Sequence, residues 1–591
     1  MPRRGAAARG AGRPPYTCAV MAGPPPTRPS AASDPDPGGP APVSAGMGGA
    51  YHAEALASPE RARLQPWVSD LDSPVFVLRG LPQVTAAALF ARYSRSSKSL
   101  RRLLLDEFLA EGAGTAPPED AGRARASRLM ARVLAEYGDD SVAQLAGVHL
   151  ACEQVSQPLA KAIEWGRLAA YLEQSTRYIP YTDRRDGHYR YFRDPELMAS
   201  AQAGRYAAAM DGLFDAYCEM LPALRHHLDR SLPPEEDARA RARAVRALAL
   251  DLLRGLLPAG TVSNVGVFAS PQALELLVMR LRAHPLPEAR AYAEMIDREL
   301  QREIPELVAR LDRPDRGGVW VDYLRDTAAG LSDEAARLFP EGAPGAAGSV
   351  GGGAATEPGG WTGAAAHGAV RLLRWDPDGE ERVLAASLWP HTGLPLAGCL
   401  DRVRSLSEVD RDRLFAAAVG ERRNRRHRPG RGLEHTEYTF ELVSDFGAFR
   451  DLQRHRLLTI QWQDLTPALG YAVPAEVEAA GLGPRWRSAV SAAEAAWERI
   501  APDLPQQAQY LVTLGHRIRY ALRLNAREAL HMIELRTSPQ GHPSYRALCQ
   551  EMLRQIDEVA GHRRLARAMR FAGTEDAPLP RYAAEAARSG G

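Results

Sequence analysis

The feature that most constrains this chain is that it repeats itself. An apolar, strand-like element ends in Val155-Ser156, and another ends in Val443-Ser444. Each is followed by a short helical stretch and then by an Arg-bearing segment, Gly166-Arg167-Leu168 in one half and His455-Arg456-Leu457 in the other. Later, one helix closes at Arg280 and its counterpart at Arg536. A similar helix then opens at Arg290 in the first half and at Arg546 in the second. An ordered recurrence of this kind implies a duplicated domain, so both halves must share one fold. The Gly/Ala-rich stretch 341–365 separates the copies.

On this reading, residues 1–65 form a tail too rich in Pro, Gly and Ala to build a core. Copy one spans 70–335, a linker 336–367, copy two 368–578, and a second tail 579–591. Lys and Arg number 74 against 72 Asp and Glu, a net charge of +2, so bulk electrostatics favours neither nucleic acid nor an acidic partner. The five cysteines include no Cys-x-x-Cys pair, so no zinc ribbon or disulfide framework is implied and no metal site is expected. A reducing cytoplasm is the simplest setting. No run of 18 apolar residues marks a membrane span.

Periodicity and turn chemistry predict strands at Pro74–Leu78, Gly368–Trp375, Arg382–Leu388 and Glu434–Val443. The second and third are expected to form a hairpin across Asp376–Gly379. Helices are predicted at Val84–Tyr93, Leu100–Gly112, Arg123–Tyr137, Leu159–Trp165, across much of 183–250, and at Ser270–Met279, Pro287–Leu300, Leu406–Val419 and Phe446–Arg456. Further helices are predicted at Ala489–Ile500, Gln509–Leu522, Ala526–Leu535 and Ser544–Val559. Val142–Val155 reads as a buried element, and Ser156-Gln157-Pro158 as a helix start with Ser as N-cap.

Two stretches carry chemistry. Arg454-His455-Arg456 sets two guanidinium forks around an imidazole, a set that suits an anionic, aromatic ligand. Glu173, Ser175, Arg177 and Tyr178 close the segment Trp165–Tyr178, where a hydroxyl and a fork suit a nucleotide phosphate. Each has a plainer reading. Arg-His-Arg occurs on solvated helix faces, Ser175 and Thr176 can be caps, and Arg254, Arg280 and Arg536 can be salt-bridged helix ends. The arginine run 422–431 reads as a solvated loop, and nucleic-acid binding through it is not expected because no aromatic-interleaved basic surface accompanies it.

Taken together, these residues resemble the signature of flavin-dependent thymidylate synthases, close to R-H-R-x-x-S-x-N-E-x-S-x-R-Y, divided between the copies. Copy two matches the first part with Arg454, His455, Arg456 and Thr459, then departs at Gln461, Trp462, Asp464 and Thr466. Copy one matches the second part with Glu173, Ser175, Arg177 and Tyr178, and has Trp165 and Gly166 where Arg and His belong. The resemblance implies an α+β fold of two homologous domains, each a small mixed or antiparallel sheet flanked by helices. It implies methylation of dUMP to dTMP, with FAD as cofactor, methylenetetrahydrofolate as carbon donor and NADPH as reductant. By the same resemblance Glu173, Ser175, Arg177, Tyr178, Arg254 and Arg280 bind dUMP. Glu434, Arg454, His455, Arg456, Asn525, Arg527 and Arg536 bind FAD, and Arg454 and Arg177 are catalytic. It implies a homodimer forming a pseudo-tetramer, with sites shared between copies. Trp165 and Trp462 are expected to plug the pocket each copy has lost. A flavin enzyme acting on another pyrimidine nucleotide, or a silent flavin/nucleotide-binding scaffold, remain alternatives.

Overall fold

A computed structural model describes residues 55–109, 125–130, 144–232, 238–339 and 369–574. The chain divides into two compact units, Met1–Val77 and Leu78–Gly591. In the first, Ser58–Leu64 forms a short helix within the stretch expected to lack order, and Arg61 pairs with Asp72 at 2.6 Å. Pro74–Leu78 is not a strand: Val77 exchanges hydrogen bonds with Ser69 at 3.0 and 2.8 Å, and Leu78 forms no more than an isolated bridge. The Gly/Ala linker, the turn expected at Gly138–Ser141 and most of the helix expected over Arg123–Tyr137 lie outside the described residues.

Both copies belong to the second unit and share one topology. In copy one, β1 (Val148–Val155), β2 (Ala169–Glu173) and β3 (Ser263–Ala269) form an antiparallel sheet in the order β1-β3-β2. In copy two, β4 (Ala369–Trp375) extends the sheet formed by β5 (Glu437–Asp445), β6 (Thr459–Trp462) and β7 (Arg517–Asn525), in the order β4-β5-β7-β6. Register matches as well: Glu173 opposes Val265 on β3, and Trp462 opposes Tyr520 on β7. Trp462 therefore occupies in copy two the place of Glu173 in copy one. This is an α+β fold of two homologous halves.

Local chemistry sets the elements that position the site. Ser156 caps helix α1 (Gln157–Ile163), its hydroxyl accepting from the Leu159 N–H at 3.2 Å. Asp445 does the same for α8 (Phe446–Leu452), accepting from Ala448 at 2.8 Å. Between them in the chain lie α2 (Ala203–Ser231), α3 (Ala238–Leu253), α4 (Pro271–Ala283), α5 (Pro287–Glu303), α6 (Val319–Leu338) and α7 (Gly379–Leu388). After α8 come α9 (Gly483–Ile500), α10 (Ala526–Arg536) and α11 (Pro543–Glu558).

Three sequence expectations are corrected here. Arg382–Leu388 is the end of helix α7, not a hairpin strand, because Glu380 and Glu381 suit a first turn and the consecutive residues Val383–Ala386 are all buried, where a half-exposed hairpin strand would alternate. Gln509–Leu522 is not a helix. A single turn at Gln509–Leu511 precedes β7, whose alternation buries Ile518, Tyr520, Leu522 and Leu524 and turns Arg517, Arg519 and Arg523 away from the core. The 183–250 segment opens with a short ribbon, Arg184–Arg185 against His188–Tyr189, before α2 and α3.

The copies join along a seam of backbone hydrogen bonds. Ala259 N–H donates to Val512 O at 2.7 Å, Gly260 N–H to Tyr510 O at 2.8 Å and Leu514 N–H to Leu257 O at 2.9 Å. Gly515 N–H donates to Gly255 O at 2.9 Å, an approach a side chain at Gly515 would obstruct. Helices α2 and α9 pack across the same boundary. Buried Glu288 on α5 ties the seam further, accepting from the Ser156 N–H at 2.9 Å, its hydroxyl at 2.5 Å and the Tyr510 hydroxyl at 2.9 Å. Burial pushes its carboxyl up to about 7 from 4.5. A raised folded-state value means stability present below pH 4.5 is lost as pH rises toward 7. Glu288→Gln should therefore gain stability relative to wild type across that window, by roughly 3 kcal/mol at about 1.4 kcal/mol per pKa unit. Urea unfolding at pH 5 and pH 8 measures this; a pH-independent difference would contradict it.

Candidate active site

The two half-motifs meet at the junction between the copies. Glu173, at the end of β2, is buried among cations from both halves. It accepts from Lys161 Nζ at 3.0 Å, from Arg450 at 2.5 Å and from Arg454 at 2.8 Å, the last 281 residues away in sequence. Burial alone would raise its pKa, but Arg450, Lys161 and Arg454 hold the carboxyl well below the usual range. Arg450 also reaches the Thr176 hydroxyl at 3.4 Å.

A second carboxylate, Asp451, organises the other side. It lies 3.4 Å from Arg254, 3.8 Å from Arg536 and 3.9 Å from Arg454. Burial would raise it, but Arg454, Arg254 and Arg536 drive it down. Arg177 forms a bidentate pair with Asp251, at 2.5 and 2.7 Å, and donates to the Tyr545 hydroxyl on α11 at 3.0 Å. Arg254 is 3 % exposed, and its Nη2 has no hydrogen-bond partner among the described residues. A buried guanidinium N–H without an acceptor is costly unless an anion meets it.

His455 is held as a neutral relay. Arg536 Nε can only donate, and it donates to His455 Nε2 at 3.0 Å, so the proton sits on Nδ1 and is given to Glu528 Oε1 at 2.8 Å. Burial pushes His455 down to about 4, which agrees with that tautomer. His455, Glu528 and His531 bring ligand atoms within 4.8 Å of one another. With Nε2 engaged by Arg536 and Nδ1 carrying the proton, the cluster is a hydrogen-bonded chain, and a metal there would require an imidazolate.

Other expected residues lie elsewhere or serve the fold. Ser175 accepts from the Arg177 N–H at 3.2 Å, shaping the turn, and Tyr178 is exposed. Asn525 caps α10, accepting from Glu528 N–H at 2.9 Å. Arg527 pairs with Glu434 at 3.2 Å and with the Pro429 carbonyl at 2.9 Å, and no contact links that pair to Arg454 or His455 among the described residues. Arg456 lies over Tyr171 at 5.9 Å. Arg280 lies over Trp165 at 5.3 Å, and burial draws its pKa below the usual value. In the arginine run Arg422 is not solvated, since it is buried on Glu534 at 2.5 and 2.7 Å.

The equivalent junction on the other side keeps Arg280 and Arg456 but has lost the ion pair. Trp165 stands where copy two has Arg454, and Trp462 where copy one has Glu173. The ion pair of one side is thus an edge-on aromatic pair, centroids 5.7 Å apart, on the other. Trp165 remains 47 % exposed, so it does not plug a closed pocket, contrary to expectation. The filling is done by Tyr171. Gly166 takes the place of His455, and a Cβ there would lie 2.5 Å from Tyr171 Oη. Gly166→Ala should cost about 1–3 kcal/mol through this overlap. Most of the cost should vanish in a Tyr171→Phe background, where the next atom of that ring is 3.9 Å away. Thermal unfolding of the four proteins of this cycle tests it; equal costs in both backgrounds would contradict it.

Sequence reasoning missed Lys161, Asp251, Arg450, Asp451 and Tyr545. Arg450 and Asp451 could have been found, since they precede Arg454 by one helical turn and so share its face.

The family described as thymidylate synthase complementing protein matches residues 82–306 and 405–561, one region in each copy. A protein of Chlamydia muridarum named UPF0159 protein is 38% identical over 506 residues, covering 84% of this chain and 92% of its own. A UPF0159 protein of Thermoplasma acidophilum is 29% identical over 531 residues, covering 85% of this chain and 98% of its own. Among solved structures, the UMP/dUMP methylase PolB from Streptomyces cacaoi, bound with 5-Br dUMP, aligns with 15% identity and a TM-score of 0.28, over 35% of this chain and 96% of its own. With both copies matched, the chain belongs to the thymidylate synthase complementing protein family, as a thymidylate synthase-like enzyme built from two copies in one chain.

Proposed function

We propose that this chain methylates dUMP to dTMP at one site per chain, assembled from the nucleotide half of copy one and the flavin half of copy two. The observation that carries this reading is the contact of Arg454 with Glu173 at 2.8 Å, which joins the two halves of the divided signature. The donor set fits the groups the reaction needs. Arg254, with an unmet buried N–H, and Arg177, fixed by Asp251, would hold the nucleotide phosphate. Arg454, His455, Arg456 and Arg536 would hold FAD, with Asn525, Arg527 and Glu434 at the opposite end of α10 from Arg536. When bound, reduced FAD supplies the hydride, methylenetetrahydrofolate the carbon, and NADPH restores the flavin. The protein's share is positioning and charge: Glu173 fixes Arg454 and Arg450, Asp451 gathers Arg254 and Arg536, and neutral His455 keeps Arg536 aimed.

Because Tyr171 fills the place of the lost imidazole and two tryptophans replace the ion pair, the second junction should hold no flavin. The purified protein should be yellow, with one FAD per chain, and should release tritium from dUMP labelled at the reacting carbon. A protein that cannot be reconstituted with FAD would sink the reading, and two FAD per chain would sink the single-site part of it.

A further inference from the structure

Helix α11 opens at Pro543, and the residue that caps it is His542. Its Nδ1 accepts from the Ser544 N–H at 3.2 Å, so the ring carries its proton on Nε2. Ser, Thr, Asn or Asp would cap the helix at least as well. What the imidazole adds is an N–H at the far end of the ring, and that Nε2 has no hydrogen-bond partner among the described residues. His542 is half-buried, neither sealed in the core nor free on the surface.

The ring stands beside the donors assigned to the nucleotide phosphate. Arg177 grips the turn on either side of it, donating to the Gln540 carbonyl at 3.2 Å and to the Tyr545 hydroxyl at 3.0 Å. The Tyr545 ring lies 6.2 Å from the imidazole, centroid to centroid. Arg254, Asp251 and Asp451 are the other charged groups that face His542. Burial, and after it Arg254, push His542 down to about 3, so the imidazole is a neutral donor among these charges.

Copy one has the opposite chemistry at the matching place. There Leu286 precedes Pro287 as His542 precedes Pro543, and its side chain caps nothing. Glu288 stands where copy two has Ser544. An anion would meet an apolar chain and an acid at that end of α5. The imidazole therefore belongs only to the junction that keeps the pair of Arg454 with Glu173.

We propose that His542 is a third phosphate donor, giving its Nε2–H to the phosphate of dUMP beside Arg254 and Arg177. This rests on the reading that those two arginines hold the phosphate. Two substitutions separate the donor from the cap. In His542→Asn the side-chain oxygen can replace Nδ1 as the cap, but nothing reaches the place of Nε2. In His542→Gln the amide nitrogen reaches that place, but the cap is lost. Calorimetric titration of the full chain with dUMP, at a temperature where every variant is folded, is compared with thermal unfolding. His542→Asn should melt like wild type and bind dUMP at least about 10-fold more weakly, the range of a hydrogen bond to a charged group. His542→Gln should melt lower and bind dUMP close to wild type. A residue that only caps the helix would give the reverse order. Wild-type affinity in His542→Asn, or equal weakening in both variants, would overturn the assignment while Arg254→Gln still binds dUMP weakly. Wild-type affinity in Arg254→Gln would instead overturn the phosphate reading on which it rests.

Discussion

Glu173→Gln should destabilise the protein by roughly 3–5 kcal/mol, the cost expected when one member of a buried charged network is removed and its partners remain. Three cations, Lys161, Arg450 and Arg454, converge on this carboxylate, and Lys161 and Arg450 are themselves buried. Glutamine keeps the volume and one acceptor but not the charge. The loss should be largest at neutral pH. The carboxyl's depressed pKa means that its contribution is present above the ordinary carboxylate range and fades only under strong acid. Denaturant unfolding at pH 7 reads the effect directly, and a loss under about 1 kcal/mol would mean that the two copies do not depend on this contact.

The second large effect concerns turnover rather than stability. Arg254→Gln should lower kcat/KM for dUMP at least about 100-fold, the range seen when a preorganised donor to an anionic group is removed. The variant should also lose stability, since Arg254 is buried and its loss leaves Asp451 without a partner at 3.4 Å, although Arg536 and Arg454 stay nearby, so turnover is compared at a temperature where both proteins are folded. An unpaired Nη2 in a buried guanidinium is poor structural design and good ligand design, and the variant separates the two. A variant that melts lower but turns over normally would assign Arg254 to the fold alone.

Much of this arrangement was legible in the sequence because duplication leaves a second copy to compare against. The divided signature led to Arg454, His455, Glu173 and Arg177, and the structure brings these stretches to one junction. Helices with good caps, such as α1 behind Ser156 and α10 behind Asn525, were readable from local chemistry. What failed was what periodicity alone cannot decide. The segment Arg517–Asn525 alternates on a two-residue period, yet its many Arg and Leu residues are good helix formers, and sheet pairing with β5 and β6 overrode that propensity. Gly379–Leu388 failed in the opposite direction, because a Pro-Asp-Gly turn can lead into a helix as well as a hairpin. The supporting shell was invisible for another reason. Asp251 lies on a helix rich in ordinary charges and Asp451 on a short one, and only the fold shows that they face Arg177, Arg254 and Arg536 rather than water. The role of Tyr171 was hidden likewise, since nothing in a strand sequence says that its hydroxyl fills the space above Gly166.

The central claim is that one active site draws on both copies. Tritium release from labelled dUMP, measured on wild type, on copy one's Arg254→Gln and on copy two's Arg454→Gln with FAD supplied, tests it most directly. Wild type should release tritium, and both variants should fall at least about 100-fold; full activity in either variant would contradict a site shared between the halves.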